Sequence, residues 1–200
     1  MKDYFEQLAP QWDRLHPPGE HAEAVGWGLG ELEKHGGSWE GKTLIDVGCG
    51  TGVLLPHLLK GLGEGRLWAV DHAEGMLKQA KARHVDARIH FICEDALSWR
   101  FAEGSADGVL CYNSFPHFPQ ERALRVFASW LRPGGFFLCW HGAGRRHINR
   151  IHREAGPAVA ADKLTSAQSL VALAVQAGFV TLSAIDDRLR WLVLLQKRGS

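Results

Sequence analysis

The nine residues 44–52, LIDVGCGTG, constrain the fold of this chain more than any other stretch. Gly48, Gly50 and Gly52 follow an apolar run that contains one acid, Asp46. Glycine adopts left-handed backbone angles at little cost, and it lets another group approach the main chain where a Cβ would obstruct it. The stretch therefore predicts a tight turn between a buried strand and a helix, with space for a ligand against the backbone.

Short apolar runs alternate with helical patterns through the middle of the chain. Strands are predicted at 43–47, 66–70, 88–92, 108–111 and 136–141, and helices at 53–61, 73–83 and 120–131. This alternation favours a mostly parallel sheet with helices on both faces.

The two ends of the chain differ from this middle. Helices are predicted at 3–15 and 20–35, and a further helix at 165–178 begins with capping-box spacing. The stretch that follows, FVTLSAIDDRLRWLVLLQK, predicts two strands joined by a polar turn at Asp186. Such a hairpin inserts an antiparallel strand into an otherwise parallel sheet.

Composition narrows the class of protein. With 200 residues, 46% of them hydrophobic, the chain can build one domain with a substantial core. A net charge of +1 argues against a nucleic-acid partner, and no apolar run approaches the roughly 18 residues of a membrane span. The N-terminal residues lack an apolar signal core, so we expect a cytoplasmic location. None of the four cysteines forms a CxxC pair, and no zinc site is predicted.

An acid about twenty residues beyond the glycines indicates what the ligand is. Asp71 ends the second predicted strand, where a carboxylate can accept hydrogen bonds from both hydroxyls of a ribose. A glycine-rich turn without a ligand and a dinucleotide site are the alternatives. The dinucleotide is disfavoured because the third glycine follows the second by two residues rather than three, and because the nearest base, Lys60, is at the far end of the helix.

These motifs together resemble the class I S-adenosylmethionine (SAM)-dependent methyltransferases of the small-molecule type. The resemblance rests on DVGCGTG at 46–52, AVDHAEGML at 69–77, FICEDAL at 91–97, DGVLCYNSF at 107–115 and LRPGG at 131–135, in that order. It implies a Rossmann-like, doubly wound α/β fold with a seven-stranded sheet, mostly parallel, and an antiparallel strand from the C-terminal hairpin.

The resemblance also implies roles for individual residues. The glycine loop, including Cys49, would hold the methionine part of SAM, with Asp46 near its amino group, and Asp71 would bind the ribose. The other cofactor contacts implied are His72 and Met76 beside the adenine, Asp95 and Ala96 at its edge, and Tyr112 and Asn113 near the methyl group.

The acceptor side is harder to predict, because a sulfonium is already activated and mainly needs alignment and exclusion of water. His117 and His141 are the candidate catalytic residues, and His117 is also a candidate acceptor contact. Further candidate acceptor contacts are Tyr4, Trp12, Arg145, His147 and His152. The basic, histidine-rich segment suggests an anionic or metal-associated acceptor, and a solvated basic helix is the alternative.

The sequence thus predicts an enzyme that methylates a small molecule at O, N, S or a related atom. It would act without nucleic-acid or membrane partners, as a monomer or homodimer. A non-catalytic SAM-binding protein and, less favoured, an RNA methyltransferase are the alternatives. We expect one domain over 1–200, with lid helices (1–40), a SAM-binding core (41–141), a substrate-cap insert (142–164) and a C-terminal helix and hairpin (165–200).

Overall fold

The structure, a computed structural model, describes residues 2–199. Met1 and Ser200, the outermost residues of the predicted domain, lie outside that range. The strands are β1 (Thr43–Val47), β2 (Arg66–Asp71), β3 (Ile89–Cys93), β4 (Ala106–Tyr112), β5 (Leu131–His141), β6 (Phe179–Asp186) and β7 (Trp191–Lys197). The α-helices are α1 (Lys2–Leu8), α2 (Trp12–Leu15), α3 (Ala22–Lys34), α4 (Leu55–Leu62), α5 (Glu74–Arg83), α6 (Gln120–Trp130), α7 (Arg145–Glu154) and α8 (Ala167–Gln176).

The strands form one seven-stranded sheet in the order β3-β2-β1-β4-β5-β7-β6. The first five strands pair in parallel, and β7 is antiparallel to both β5 and β6. The predicted fold class is therefore confirmed. The strand order reverses direction at β1, so the carboxyl ends of β1 and β4 border the crevice where doubly wound sheets bind ligands.

Alternating side chains of the strands place a hydrophobic core on each face of the sheet. Leu44 of β1 packs with α3 and α4, whereas its neighbour Ile45 belongs to the core that α6 and α8 cover. Both side chains are fully buried. Burial on both faces explains why the strands read as continuous apolar runs.

Two predicted helices differ from those in the structure. The helix expected at 3–15 is interrupted by a 3₁₀ turn at Ala9–Gln11, because Pro10 has no backbone N–H to continue the helical ladder. The C-terminal helix is capped by Ser166 rather than Thr165, since the Ser166 side chain accepts a hydrogen bond from the Ser169 N–H at 3.0 Å.

The fifth strand also begins earlier than predicted, at Leu131 rather than Phe136. The register with β4 shifts between the pairs Ala106–Leu131 and Gly108–Phe136, so RPGG forms an irregularity within the strand. Nowhere between residues 2 and 199 does a helix combine the length and apolar character that crossing a bilayer requires.

Candidate active site

The glycine loop after β1 has the left-handed geometry that its sequence predicts. The φ angles of Gly48, Gly50 and Gly52 are +68°, +54° and +87°. The N–H groups of Gly48 and Cys49 donate to the carbonyl of Val70 in β2, at 2.8 and 3.1 Å. The loop is therefore tied to the end of the neighbouring strand.

Only part of the loop faces a cavity. A Cβ at Gly50 would meet no atom within 4 Å, and Gly50 lines the cavity described below. A Cβ at Gly48 would lie 2.5 Å from Ser114 Oγ, and one at Gly52 would lie 2.8 Å from the ring of His84. Gly52 does not line the cavity and packs against α4 and His84, and its predicted cofactor contact stays a prediction.

The Asp71 carboxylate joins the glycine loop to α5. Its Oδ2 accepts from the Gly50 N–H at 2.9 Å, and its Oδ1 accepts from the Ala73 N–H at 2.8 Å. Burial raises the pKa of Asp71, while the two backbone N–H bonds oppose that rise. Because Asp71 also lines the cavity, its carboxylate can accept hydrogen bonds at the position where the two ribose hydroxyls are expected.

Asp46 is buried beneath the loop rather than on the cavity wall. Its side chain is 2% exposed, and Oδ2 has no hydrogen-bond partner among the described residues. Burial, and secondarily the charge of Asp71, raise the pKa of Asp46 to about 8. A buried carboxyl group of this kind gains stability when a cation comes close.

One cavity of about 710 Å³ spans the carboxyl ends of the strands. Of the residues predicted to bind the cofactor, all except Asp46 and Gly52 line it. Those that do are Gly48, Cys49, Gly50, Asp71, His72, Met76, Asp95, Ala96, Tyr112 and Asn113.

The N-terminal helices cover the cofactor side of this cavity. Tyr4 and Trp12 both line it, as does Phe5, whose ring lies 6.0 Å from that of His72. Trp12, predicted to contact the acceptor, lines the cavity and packs with Ala9, Ala73 and Met76, on the side where the adenine is expected.

Polar contacts hold the N-terminal helices in place. The two carboxylate oxygens of Glu6 accept from the N–H groups of Glu74 and Gly75 at the start of α5, at 3.0 and 2.7 Å. Asp13 accepts from Thr51 Oγ1 at 2.6 Å and is ion-paired with Arg83.

The strand ends near the expected methyl position are held in an unusual conformation. Asn113 has a φ of +56°, and its Oδ1 accepts from the Gly142 N–H at 2.9 Å, which joins the ends of β4 and β5. The Tyr112 hydroxyl lies 2.9 Å from His21 Nδ1. Nothing in the local sequence of His21 indicates that it lies beside β4.

Three histidines meet on the acceptor side. The rings of His117 and His152 are 5.0 Å apart, and His117 Nδ1 lies 2.7 Å from an oxygen of Asp162. His141 is 2% exposed, and its Nε2 has no partner within the described chain. Burial, then the neighbouring His117 and His152, lower the pKa of His141 to about 3, so that it stays neutral.

The basic helix α7 contributes less than predicted. Arg145 does not line the cavity, because its guanidinium is paired with Asp186 of β6 at 2.8 Å. His147 and His152 both line it although they are five residues apart. Across residues 2–199, no group of three or more His, Cys, Asp and Glu side chains is arranged to hold a metal ion.

The residues present fit SAM. Gly50 leaves space for a ligand against the backbone, Asp71 places an anion beside it, and the unpartnered Asp46 carboxyl lies beneath the same loop. SAM carries a ribose and an amino group, which these two acids complement.

Comparisons with known proteins agree with this geometry. A family profile describing a methyltransferase domain matches residues 44–135. The chain is 36% identical over 124 residues to the malonyl-(acyl-carrier protein) O-methyltransferase of Hahella chejuensis, a match that covers 54% of this chain and 44% of that protein. The chain thus spans less than half the length of this curated relative.

Solved structures support the fold alone, because their sequences are distant. A chain from the complex of the Haloferax volcanii Trm112 methyltransferase activator with a methyltransferase superposes with a TM-score of 0.75, at 19% identity and 98% coverage of both chains. Geranyl diphosphate C-methyltransferase from Streptomyces coelicolor, solved with Mg²⁺, a substrate analogue and S-adenosylhomocysteine (SAH), gives a TM-score of 0.72 at 12% identity. That match covers 88% of this chain and 76% of the other.

Proposed function

Because the chain belongs to the class I SAM-dependent methyltransferases, we propose that it transfers the methyl group of SAM to a small-molecule acceptor. The observation that carries this proposal is the single cavity in which the acids and glycines suited to SAM adjoin a space lined by histidines. The described chain would form one methyltransferase domain. Residues up to 40 would be the lid over the cofactor, and residues 142–164 would be the cap over the acceptor.

The cofactor half of the cavity supplies the binding groups. Gly48 to Thr51 would hold the methionine part, with Asp46 beneath its amino group, and Asp71 would accept from the ribose. His72 and Met76 would flank the adenine, and Asp95 and Ala96 would meet its edge. Bound SAM supplies an electrophilic methyl group and a neutral leaving group.

The chain's own contribution to the transfer is alignment and exclusion of water. The lid residues Tyr4 and Phe5 cover the cavity, while Asn113 fixes the strand ends that face the acceptor. His141, which lines the cavity, stays neutral and therefore adds no charge to the wall that faces the acceptor.

The acceptor itself would be largely apolar, with Lys2 and Arg122 as the cations of the wall that remain for an anionic group. Arg145, the cation expected to bind an anion, is occupied by Asp186, and Phe118, Ile148 and Ile151 contribute apolar wall. The protein would act without a nucleic-acid or membrane partner. It would be a monomer or a homodimer.

Two measurements on purified protein test this function. Calorimetric titration with SAH should show binding at one site per chain. Incubation with SAM and a panel of hydroxyl, amine, thiol and carboxylate acceptors should release SAH above the acceptor-free rate, as measured by mass spectrometry.

The same pair of measurements separates the alternatives. A non-catalytic SAM-binding protein would bind SAH but release none with any acceptor. Absence of SAH and SAM binding in a folded sample would reject the proposal altogether.

A further inference from the structure

The acceptor side of the cavity contains a histidine–aspartate pair that joins two segments distant in the chain. His117 ends the 3₁₀ turn after β4, and Asp162 lies 45 residues later, in the cap segment (residues 155–165) between α7 and α8. The Nδ1 and carboxylate atoms are 2.7 Å apart, and the two side chains are 13% and 20% exposed. Since a carboxylate can only accept, Nδ1 carries the proton and donates it.

The cap segment is anchored so that Asp162 has a defined position. His152 Nδ1 donates to the Asp162 carbonyl at 2.8 Å, and Gln120 Nε2 donates to the Lys163 carbonyl at 2.9 Å. Asn149 bonds both backbone groups of Leu164, at 3.0 and 2.8 Å. These contacts hold the segment against α7 and α6.

The two members of the pair are placed differently relative to the cavity. His117 lines it, whereas Asp162 is not among the wall residues in the described chain. Hydrogen bonding of Nδ1 to Asp162 fixes the tautomer in which the opposite ring nitrogen, Nε2, has a free lone pair. A ring held in this way is suited to accept a proton from a molecule in the cavity.

We infer that Asp162 is a positioning residue that orients His117 as the general base for an acceptor whose nucleophilic atom carries a proton. The inference rests on the methyl transfer proposed above, and it names the acceptor class: an apolar molecule bearing a hydroxyl, a thiol or a protonated amine. The acceptor atom forms its bond to the methyl carbon while the carbon–sulfur bond breaks and its electron pair goes to sulfur. The acceptor's proton goes to Nε2 of His117; for a protonated amine this transfer comes before the attack, because it frees the electron pair on nitrogen. A carboxylate is already deprotonated and needs no such base.

The first test needs no acceptor. Ring-nitrogen NMR of ¹⁵N-histidine-labelled protein at roughly pH 8.5, well above the ordinary histidine pKa, should show His117 as the Nδ1–H tautomer, with and without SAH. Asp162→Ala should lose that preference, and Glu154→Gln, at an exposed acid of α7, should keep it. A wild-type Nε2–H tautomer, or a tautomer unchanged by Asp162→Ala, overturns the inference.

The second test uses the acceptors that release SAH. With a hydroxyl, thiol or amine acceptor, His117→Gln should lower kcat by roughly 10²–10⁴-fold, the range of general-base catalysis. Asp162→Asn should lower kcat by about tenfold or more, but by less than His117→Gln does, with little change in KM, and Asp162→Glu should recover part of the loss. With a carboxylate acceptor both losses should be small.

The outcomes separate the inference from the function beneath it. If Asp162→Asn is folded and keeps wild-type kcat for a protic acceptor, Asp162 does not orient a base and the inference is wrong, whether or not the unfolding temperature has changed. Turnover confined to carboxylates also rejects it while leaving methyl transfer intact. If no acceptor releases SAH, the proposed function itself fails.

Discussion

Replacement of Asp71 by alanine should weaken SAH binding strongly, because Asp71 is the anion that both orders the glycine loop and faces the ribose position. Each hydrogen bond to a charged acceptor contributes about 1.5–3 kcal/mol, so two ribose hydroxyls give an upper range of about 3–6 kcal/mol. Burial raises the pKa of Asp71, and the cost of ionising it offsets part of that gain. We therefore expect a loss of about 3 kcal/mol, or roughly 150-fold in Kd.

Calorimetry with SAH measures this loss without turnover. Asp71→Asn retains an oxygen acceptor and should lose about tenfold, since a neutral acceptor contributes roughly half as much as a charged one. Glu103→Ala removes an exposed acid from the turn before β4 and should bind as the wild type does. Thermal unfolding of each variant shows whether it is folded. If folded Asp71→Ala binds SAH within about threefold of wild type, well under the 1.4 kcal/mol that a tenfold change represents, the assignment of the ribose to Asp71 is wrong.

Three further perturbations follow from the same site. At pH 7, SAH binding should release protons, because Asp46, with a pKa of about 8, is protonated in the free protein and the ammonium group of SAH favours its ionised form. Calorimetric titrations in buffers of different ionisation enthalpy measure this release, and Asp46→Asn should diminish it. His141 has a folded-state pKa of about 3 against an ordinary 6.5, so the unfolded chain takes up its proton first as the pH falls, and wild-type stability is lost progressively below pH 6.5. His141→Gln lacks this loss, so between pH 7 and about pH 4.5 its unfolding free energy in urea should rise by about 2–3 kcal/mol relative to that of wild type. Parallel pH profiles of the two proteins would contradict the buried neutral state. Gly48→Ala should destabilise the protein more than Gly50→Ala, because both substitutions strain a positive φ but only the first drives a Cβ against Ser114. Melting temperatures of the two variants measure the difference, and adding Ser114→Gly to Gly48→Ala should recover part of the lost stability.

The cofactor half of the site was largely predictable from the sequence. In a parallel sheet the carboxyl ends of all strands lie at one edge, so an acid at the end of β2 and a glycine turn at the end of β1 must be neighbours once those strands pair. Gly52 shows the limit of this reasoning. Its spacing matches that of Gly50, yet the approach of His84, from a loop 32 residues away, makes it a packing residue.

The acceptor half was predicted only in outline. His117, His141, His147 and His152 were identified as candidates, and all four line the cavity. Arg145, a further candidate, does not line the cavity, and no local pattern reveals that it would pair with Asp186, 41 residues later.

What the sequence determined by itself is what local rules govern: the alternation of strands and helices, the left-handed glycine turn, and the acids at strand ends. These depend on backbone sterics and on burial patterns that repeat every two or 3.6 residues. Which side chains meet across the cavity was decided only by tertiary structure. Asp162 reaches His117, and His21 reaches Tyr112, through loops whose paths depend on the packing of helices onto the sheet and not on any pattern within the loops themselves.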